Sequence, residues 1–368
     1  MSNQVSVWVM VALSVRAFRF SAAFNPPATV INHWSRLAST TSTAPTKSEA
    51  DSIVIDHMLY RISECNKVSE DLKLVDFVVD DGVVVGKLRE SLALRLSKSS
   101  VFSFDAIDRT LVIENCNTPE ERTKSVMTVM EELREGGVIK GWRDELLPVV
   151  TSFYDAKPAF LIERAAAPHM GTIQYGVHIN GYIKNPDTGE IKLWMARRSE
   201  TKSKYPGMLD HIVAGGQPFG ITLKDNVLKE CEEEAGITAD LAQNAKPVGA
   251  VSYEYSELDG QVNRSVLFCY DIELPPDFIP VAVDGEVEEF FLKEISEVLE
   301  LMDPLCDDPI KPNCYLVIID FLLRQGLVAP ENPGEYVYKR SINAHRNTII
   351  TYAVLHNLFQ NASGNLLA

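Results

Sequence analysis

The sequence predicts a mixed α/β or α+β sandwich, in which β-strands are interspersed with amphipathic helices. After residue 170 the chain contains four β-rich runs, at 175–183, 192–197, 248–253 and 265–272. Two helical patterns accompany them, an acidic one at 222–236 and an apolar one at 315–323. Strands and helices mixed in this way form layered sandwiches around a hydrophobic core. A composition of 46% hydrophobic and 23% charged residues supplies both that core and a solvated surface.

Length, charge and cysteine usage narrow the class of protein. The 368 residues suffice for one or two domains. A net charge of −16 opposes a nucleic-acid-binding face, which needs clustered Lys and Arg. No run of about 18 apolar residues is present, so we expect no stable membrane association. The six cysteines form no C-x-x-C pair, and this spacing favours reduced structural thiols over a disulfide framework or a zinc site.

The N-terminus has the composition of a targeting segment. Residues 1–48 contain no Asp or Glu, and an apolar run at 5–15 precedes Ser21-Ala22-Ala23-Phe24. Small residues followed by an aromatic residue resemble a signal-peptide cleavage site that leads into a plastid transit peptide, as in algae with complex plastids. We therefore expect residues 1–50 to be a presequence for the plastid. A mitochondrial presequence and a disordered tail without an address are the alternatives.

Residues 51–165 have the pattern of a small α+β accessory domain. The β-rich runs 77–79 and 83–85 flank Asp80-Asp81-Gly82, a turn-type sequence that predicts a hairpin. Thr118 precedes Pro119 and lies three residues before Glu121, which predicts a capped helix that runs to about residue 135 and stops at a Gly-Gly pair. Nothing in this segment has the spacing of a catalytic site.

The second segment, residues 166–335, contains the chemistry. Its strands surround a Gly215-Gly216 pair, which we expect to form a loop, followed by a helix that Thr222 can cap and Gly236 can end. Apolar residues recur every four positions along this helix and predict a buried face formed by Leu223, Val227, Cys231 and Ala235. A tail at 336–368 follows, with one amphipathic stretch at 342–359.

Glu230, Glu233 and Glu234 stand at i, i+3 and i+4, so their carboxylates share one face of the helix. Crowded carboxylates repel one another, and a hard cation such as Mg²⁺ or Mn²⁺ converts that repulsion into binding. The cation would neutralise a diphosphate and acidify a water molecule. A Glu-rich helix in an acidic chain is also compatible with a merely solvated face. The adjoining glycines, which allow backbone carbonyls to approach, favour the metal site.

This arrangement resembles the Nudix box: glycine, five residues, Glu, seven residues, Arg-Glu, an apolar residue, any residue, Glu-Glu, any residue, glycine and an apolar residue. With Gly216 as its start, the loop is one residue short, Ile221 or Thr222 lies in the first-Glu region, and Lys229 replaces Arg. The Glu–Arg pair that braces the helix is therefore absent. The resemblance implies an α/β/α sandwich, with Glu230, Glu233 and Glu234 as catalytic and metal-binding residues. It also implies that the Gly215 carbonyl is a metal ligand.

The chain further resembles the thiamine-pyrophosphokinase-related Nudix subfamily over residues 60–335. The matching runs lie at 175–182, 193–198, 206–210, 229–236 and 284–288. This resemblance implies hydrolysis of thiamine diphosphate, preferentially its damaged oxo and oxy forms, to the monophosphate and phosphate. A Nudix hydrolase of another small-molecule diphosphate, such as a nucleoside diphosphate sugar or ADP-ribose, and a non-catalytic ligand-binding module are the alternatives. A homodimer is possible.

Several other side chains are candidates for the site. Phosphate contact would suit the basic cluster Arg197, Arg198, Lys202 and Lys204, which a solvated strand end also explains. Trp194 and Tyr253 could stack on a heterocycle, although aromatic residues in strands more often belong to the core. His178 is either a substrate contact or a hydrogen-bonded core histidine. Glu286 lies before an aromatic pair, where Nudix enzymes often place an additional metal-binding or proton-accepting glutamate. Simple solvation of a strand edge explains it as well.

Overall fold

The computed structural model describes residues 47–79, 82–150 and 157–328. Almost all of the predicted presequence, the turn residues Asp80 and Asp81, and the whole of the predicted tail at 336–368 lie outside these described residues. Within the described part of the chain, no helix is both long and apolar enough to cross a membrane.

The first part of the described chain alternates short strands with three helices. Its helices are α1 (Lys47–Glu64), α2 (Glu90–Leu96) and α3 (Pro119–Glu135). Its strands are β1 (Leu74–Val79), β2 (Val83–Arg89), β3 (Phe102–Asp105), β4 (Thr110–Ile113), β5 (Leu146–Val149) and β6 (Phe160–Glu163). The first four strands form a sheet in the order β2-β1-β4-β3, and β5 pairs with β6. The predicted hairpin is confirmed, because β1 and β2 pair antiparallel on either side of the turn.

Local sequence explains the longest helix of this part. The Thr118 hydroxyl accepts a hydrogen bond from the Glu121 backbone N–H at 3.2 Å, and the Glu121 carboxylate accepts one from the Thr118 backbone N–H, also at 3.2 Å. This reciprocal capping box and Pro119 in the first turn confirm the predicted helix start. One face of α3 contributes Val126, Met130 and Leu133 to a hydrophobic core shared with the sheet.

The second part is built around a seven-stranded sheet. Its strands are β7 (Ile173–Lys184), β8 (Ile191–Arg198), β9 (Leu209–His211), β10 (Val213–Gly216), β11 (Lys246–Ser256), β12 (Val262–Glu273) and β13 (Val287–Glu294). Its helices are α4 (Ala167–Met170), α5 (Leu223–Ala235), α6 (Ala239–Ala242), α7 (Ile295–Glu300) and α8 (Pro312–Arg324). The main order is β11-β12-β7-β8-β13, with β10 on β7 and β9 on β8. The central pair β7–β12 is parallel, and the other pairs are antiparallel.

Alternating side chains give this sheet two apolar faces. Val177 of β7 and Phe268 of β12 pack with Val227 of α5 in one cluster. Their neighbours Leu267 and Cys269 point to the other face, where Val317 of α8 covers them. Because a strand exposes successive side chains on opposite faces, each strand needs a helix layer on both sides. The second part is therefore an α/β/α sandwich preceded by a smaller α+β unit, which confirms the predicted fold class.

Helix α1 packs against the second part, although it precedes the first sheet in sequence. Met58 belongs to the same buried cluster as Tyr315 and Phe321 of α8. The Arg61 guanidinium donates to the carbonyls of Met302 at 3.0 Å and Asp303 at 2.5 Å. Satisfied carbonyls and a buried apolar face hold the beginning and the end of the described chain together.

Gly171 forms a close backbone contact between the two parts. Its φ of +56° is in the left-handed region, and a Cβ added there would lie 1.8 Å from the Lys87 carbonyl oxygen of β2. The Gly171 carbonyl accepts hydrogen bonds from the Lys87 backbone N–H and from the Arg264 guanidinium, both at 3.2 Å. Only glycine satisfies the dihedral angle and the close approach together.

We expect Gly171→Ala to lower the free energy of unfolding by about 2–4 kcal/mol, since left-handed strain is combined with a clash against backbone atoms. Gly189→Ala is the matched control, because Gly189 has a φ of +74° and no atom within 4 Å of an added Cβ. It should lose only about 1 kcal/mol. Denaturant unfolding of both variants measures the difference, and equal losses would contradict the proposed backbone clash.

Candidate functional site

Helix α5 presents the acidic cluster as the sequence predicts. The Thr222 hydroxyl accepts a hydrogen bond from the Asp225 backbone N–H at 3.1 Å, and Gly236 ends the helix at a φ of +62°. Val227, Cys231 and Ala235 are buried and Leu223 is partly buried, which confirms the predicted apolar face. The three glutamates differ in burial: the side chain of Glu233 is 50% exposed, that of Glu230 is 13% exposed, and Glu234 is buried.

The expected Gly-Gly loop is wrong, because both glycines lie within strand β10. Gly215 pairs with Val177 and Gly216 with Gly176 of β7. A Cβ added to Gly215 would lie 2.2 Å from the Glu230 carboxyl carbon, so only a residue without a side chain allows the strand to lie against this carboxylate. Counting from Gly215 instead of Gly216 also restores the five-residue and seven-residue spacings, with Ile221 in the place of the first Glu and Lys229 in the place of Arg.

Other contacts brace this segment where the usual Glu–Arg pair is missing. The Asn226 side-chain amide donates to the Gly216 carbonyl at 2.8 Å, and the Gln217 amide donates to the Ile221 carbonyl at 2.9 Å. The Lys229 ammonium lies 3.1 Å from Glu230 Oε1 and 2.9 Å from Glu233 Oε2. Lys229 therefore offsets the repulsion between two carboxylates of its own helix.

Burial changes the acidity of the two inner glutamates. The Glu234 carboxylate accepts a hydrogen bond from the Ala214 backbone N–H at 2.8 Å. Burial nevertheless raises the pKa of Glu234 well above its usual value, and this hydrogen bond opposes the shift only in part. Burial also raises the pKa of Glu230, despite the opposing effect of Lys229. A cation bound beside Glu230 and Glu234 would stabilise their ionised carboxylates, which burial disfavours.

A small pocket joins the acidic helix to basic side chains. Its lining is mostly polar and comprises Ala196, Arg198, Asp210, His211, Glu234, Glu286 and Val287. Arg198 Nη1 lies 2.6 Å from Asp210 Oδ2, and Lys202 Nζ lies 2.5 Å from Glu286 Oε2. Burial alone would raise the pKa of Glu286, but Lys202, Arg198 and Arg164 together lower it.

The donors around this pocket fit a hard divalent cation. The partly buried Glu230 and the buried Glu234, both with raised pKa values, the half-exposed Glu233 and the nearby Glu286 all offer oxygen ligands, which Mg²⁺ and Mn²⁺ prefer. The close approach of the Gly215 backbone to Glu230 brings a peptide carbonyl to the same cluster. The chemistry of these oxygen donors therefore suits such an ion.

The remaining candidates from the sequence lie in different surroundings. Arg197 is not among the lining residues and binds Asp308 through two nitrogens, at 2.7 and 2.8 Å.

Trp194 is buried in the core with α5. Tyr253 packs beside Val317 of α8, and burial raises its pKa to about 12. His178 is buried and is not itself among the lining residues, but its ring centroid lies 5.1 Å from that of the lining residue His211. Lys204 pairs with Glu257 at 2.9 Å.

Sequence reasoning missed Arg164, which the first part of the chain brings to the site. This residue follows β6, and its guanidinium carbon lies 3.6 Å from the position of a Cβ added to Gly216. Arg164 pairs with Glu145 at 2.7 Å, and its side chain is 41% exposed. A second contact runs from the Arg143 guanidinium to the Ser203 hydroxyl at 2.6 Å. No motif marks Arg164, because only the folded chain places it beside Gly216.

Two known family models match consecutive parts of the chain. Residues 57–174 match the model of a domain of unknown function, DUF4743. Residues 174–314 match the NUDIX domain model. Gly171, which packs against Lys87 of β2, lies just before residue 174.

Similar proteins span most of the chain. Nudix hydrolase 20, chloroplastic, of Arabidopsis thaliana is 42% identical over 299 residues, which are 78% of this chain and 78% of the relative. Nudix hydrolase 24, chloroplastic, of the same plant is 42% identical over 290 residues, 77% of each chain. The solved NUDIX domain of Shewanella oneidensis NrtR, complexed with ADP ribose, is 14% identical and covers 41% of this chain and 86% of its own, with a TM-score of 0.32. Because both plant relatives are 42% identical to this chain over more than two thirds of its length, the chain belongs to the Nudix hydrolase family.

Proposed function

We propose that this Nudix hydrolase uses Mg²⁺ or Mn²⁺ held by Glu230, Glu233, Glu234, Glu286 and the Gly215 carbonyl. Nudix hydrolases generally use divalent metal ions and act on small-molecule diphosphates. The observation that supports this assignment most directly is the packing of β10 against α5. It brings the backbone of Gly215 against Glu230, and Glu234 shares a pocket with Glu286 and Arg198.

The proposed reaction is an attack of water on one phosphorus of the diphosphate. The bound metal would polarise the phosphoryl oxygens and acidify the attacking water. Glu230 accepts the proton from that water, a role that suits a carboxyl group whose pKa burial has raised. The new bond joins the water oxygen to phosphorus, and the bond to the bridging oxygen breaks. Arg198, Lys202 and Arg164 balance the negative charge of the diphosphate.

For the substrate we propose thiamine diphosphate, with preference for its damaged oxo and oxy forms. The support is the resemblance of residues 60–335 to the thiamine-pyrophosphokinase-related subfamily. The products would be the monophosphate and phosphate, which is the chemistry of metabolite repair. Two relatives bear the word chloroplastic in their names. Together with the acid-free N-terminus, this supports a plastid location for the chain, with the mitochondrion as the alternative.

A substrate panel tests the proposal. The chain without its presequence should hydrolyse oxothiamine and oxythiamine diphosphates fastest, thiamine diphosphate more slowly, and ADP-ribose and nucleoside diphosphate sugars slowest. The monophosphate product is measured for every substrate, because only the thiamine diphosphates also release inorganic phosphate. Glu230→Gln should lower kcat by about 10²- to 10⁴-fold, because the proton acceptor is lost. Glu232→Gln is the matched control, since Glu232 is exposed on the same helix and should leave kcat unchanged.

Three results of these assays would contradict different parts of the proposal. Turnover confined to ADP-ribose or the sugars would exclude the thiamine assignment and retain the hydrolase. Equal kcat values for Glu230→Gln and Glu232→Gln would contradict the role of Glu230. Absence of turnover with every substrate in the presence of metal would favour the ligand-binding module.

The buried charge of Glu234 predicts a pH-dependent stability. Because its folded-state pKa lies well above the ordinary value of 4.5, the folded metal-free chain binds a proton more tightly than the unfolded chain. Its stabilising contribution is present below about pH 4.5 and is lost as pH rises through the folded pKa. In chelator at pH 8, Glu234→Gln should therefore raise Tm by about 2–4 °C or more.

This difference should vanish near pH 4.5, and the half-exposed control Glu233→Gln should show little of it. Added Mg²⁺ should stabilise the wild type more than Glu234→Gln, because the variant lacks one carboxylate. A Tm difference that does not change with pH would contradict the charge argument.

Arg164 should contribute to diphosphate binding from the DUF4743 part of the chain. We expect Arg164→Gln to raise KM about tenfold, equivalent to about 1.4 kcal/mol, with a smaller effect on kcat. Lys140→Gln, at an exposed position of the same part, should leave KM unchanged. Steady-state kinetics on the preferred substrate distinguish the two variants. An unchanged KM for Arg164→Gln would show that the Nudix part alone binds the diphosphate.

A further inference from the structure

Four buried polar side chains converge between the sheet and helix α8. They are His178 of β7, Asp210 and His211 of β9, and Cys314 of α8. One ligand atom from each lies within 4.8 Å of those of the others. None of the four residues is more than 5% exposed. The two imidazole rings meet edge to face, with centroids 5.1 Å apart.

The histidines of this cluster lack hydrogen-bond partners. Among the described residues, neither ring nitrogen of His178 nor of His211 has a partner, and all four atoms are fully buried. His211 Nδ1 remains 3.9 Å from Asp210 Oδ1, beyond hydrogen-bonding distance. A buried polar group without a partner costs roughly 1–3 kcal/mol. Buried polar atoms of this kind indicate a missing ion or water.

We propose that His178, His211, Cys314 and Asp210 form a second metal site, for a divalent transition metal such as Zn²⁺. Two imidazoles, a thiolate and a carboxylate are the ligand types that proteins use for tetrahedral zinc. A thiol and imidazoles do not suit the hard Mg²⁺ ion, so this site differs in chemistry from the carboxylates of α5. It requires ligand atoms at about 2.0–2.3 Å from one ion. Side chains whose ligand atoms now lie near the 4.8 Å limit would have to move closer together on binding.

Two basic side chains contact one oxygen of Asp210 and leave its other oxygen facing Cys314. Arg198 and Lys311 both contact Asp210 Oδ2, at 2.6 and 3.1 Å. Asp210 Oδ1 instead faces Cys314, whose sulfur lies 2.8 Å away. Oδ1 is therefore the oxygen that would meet the metal. Binding breaks the S–H bond of Cys314, forms a metal–sulfur bond and releases the proton to solvent.

The location gives the ion a structural role beside the catalytic pocket. Asp210 and His211 also line the pocket that contains Glu234 and Glu286. An ion held by β7, β9 and α8 would link the sheet to the helix layer on its far side. It would thereby fix the position of Asp210 and, through it, of Arg198.

Cobalt substitution tests the proposal on the full chain, because a thiolate–Co²⁺ bond gives a near-ultraviolet charge-transfer band. The metal-free protein, with Mg²⁺ in excess to occupy the carboxylates, is titrated with Co²⁺ and then with Zn²⁺. We expect a band that saturates at one Co²⁺ per chain and that Zn²⁺ abolishes. Cys314→Ser should eliminate it, and His211→Gln should weaken Co²⁺ affinity by more than about tenfold. Cys269→Ser, which removes an equally buried thiol, should retain it.

Absence of the band in the wild type, or an unchanged band in Cys314→Ser, would overturn the second site. X-ray absorption of the Zn²⁺-loaded wild type needs no variant to fold, and should show sulfur at about 2.3 Å together with nitrogen ligands. A shell of oxygen and nitrogen alone would also overturn it. Neither measurement depends on hydrolysis, so this proposal can fail while the proposed function stands.

Discussion

The packing of a glycine strand against an acidic helix is the constraint on which the site depends. Gly215 lies so close to Glu230 that no side chain fits between them. The pairing of β10 with β7 holds the strand, and the buried face of α5 holds the helix. Together they force Glu230 and Glu234 into partial or complete burial, where their negative charge is costly. The same geometry that destabilises the metal-free carboxylates prepares them for a cation.

Sequence patterns predict correctly those features of the fold that depend on residues close together in the chain. The capping box of Thr118, the cap at Thr222 and the four-residue apolar period of α5 each involve neighbours in sequence, and all are confirmed. The Gly-Gly pair was misjudged, because its strand conformation depends on β7, a partner distant in the chain. Glycine favours turns locally, but here tertiary pairing and the nearby carboxylate determine its conformation.

In the candidate site too, sequence patterns predict only what neighbouring residues of one element determine. The spacing of Glu230, Glu233 and Glu234 is a helix-surface pattern that can be read from sequence alone. Arg164 lies beside Gly216, and Asp210 lies beside His178 and Cys314, only in the folded chain. These residues come from separate elements, so no short stretch of sequence contains them together. Cysteine spacing likewise gave no sign of Cys314 as a ligand, because its partners lie on strands far away in the chain.

The contact between α1 and α8 has a consequence for the order of folding. Arg61 reaches the carbonyls of Met302 and Asp303, and its guanidinium lies 4.2 Å from the ring centre of Tyr315. The central parallel pair β7–β12 also joins distant segments. Pairings of such high sequence separation form slowly, because loop-closure entropy opposes them. A chain emerging from a ribosome or a translocation pore therefore leaves its first helix without its packing partner until nearly all described residues are available.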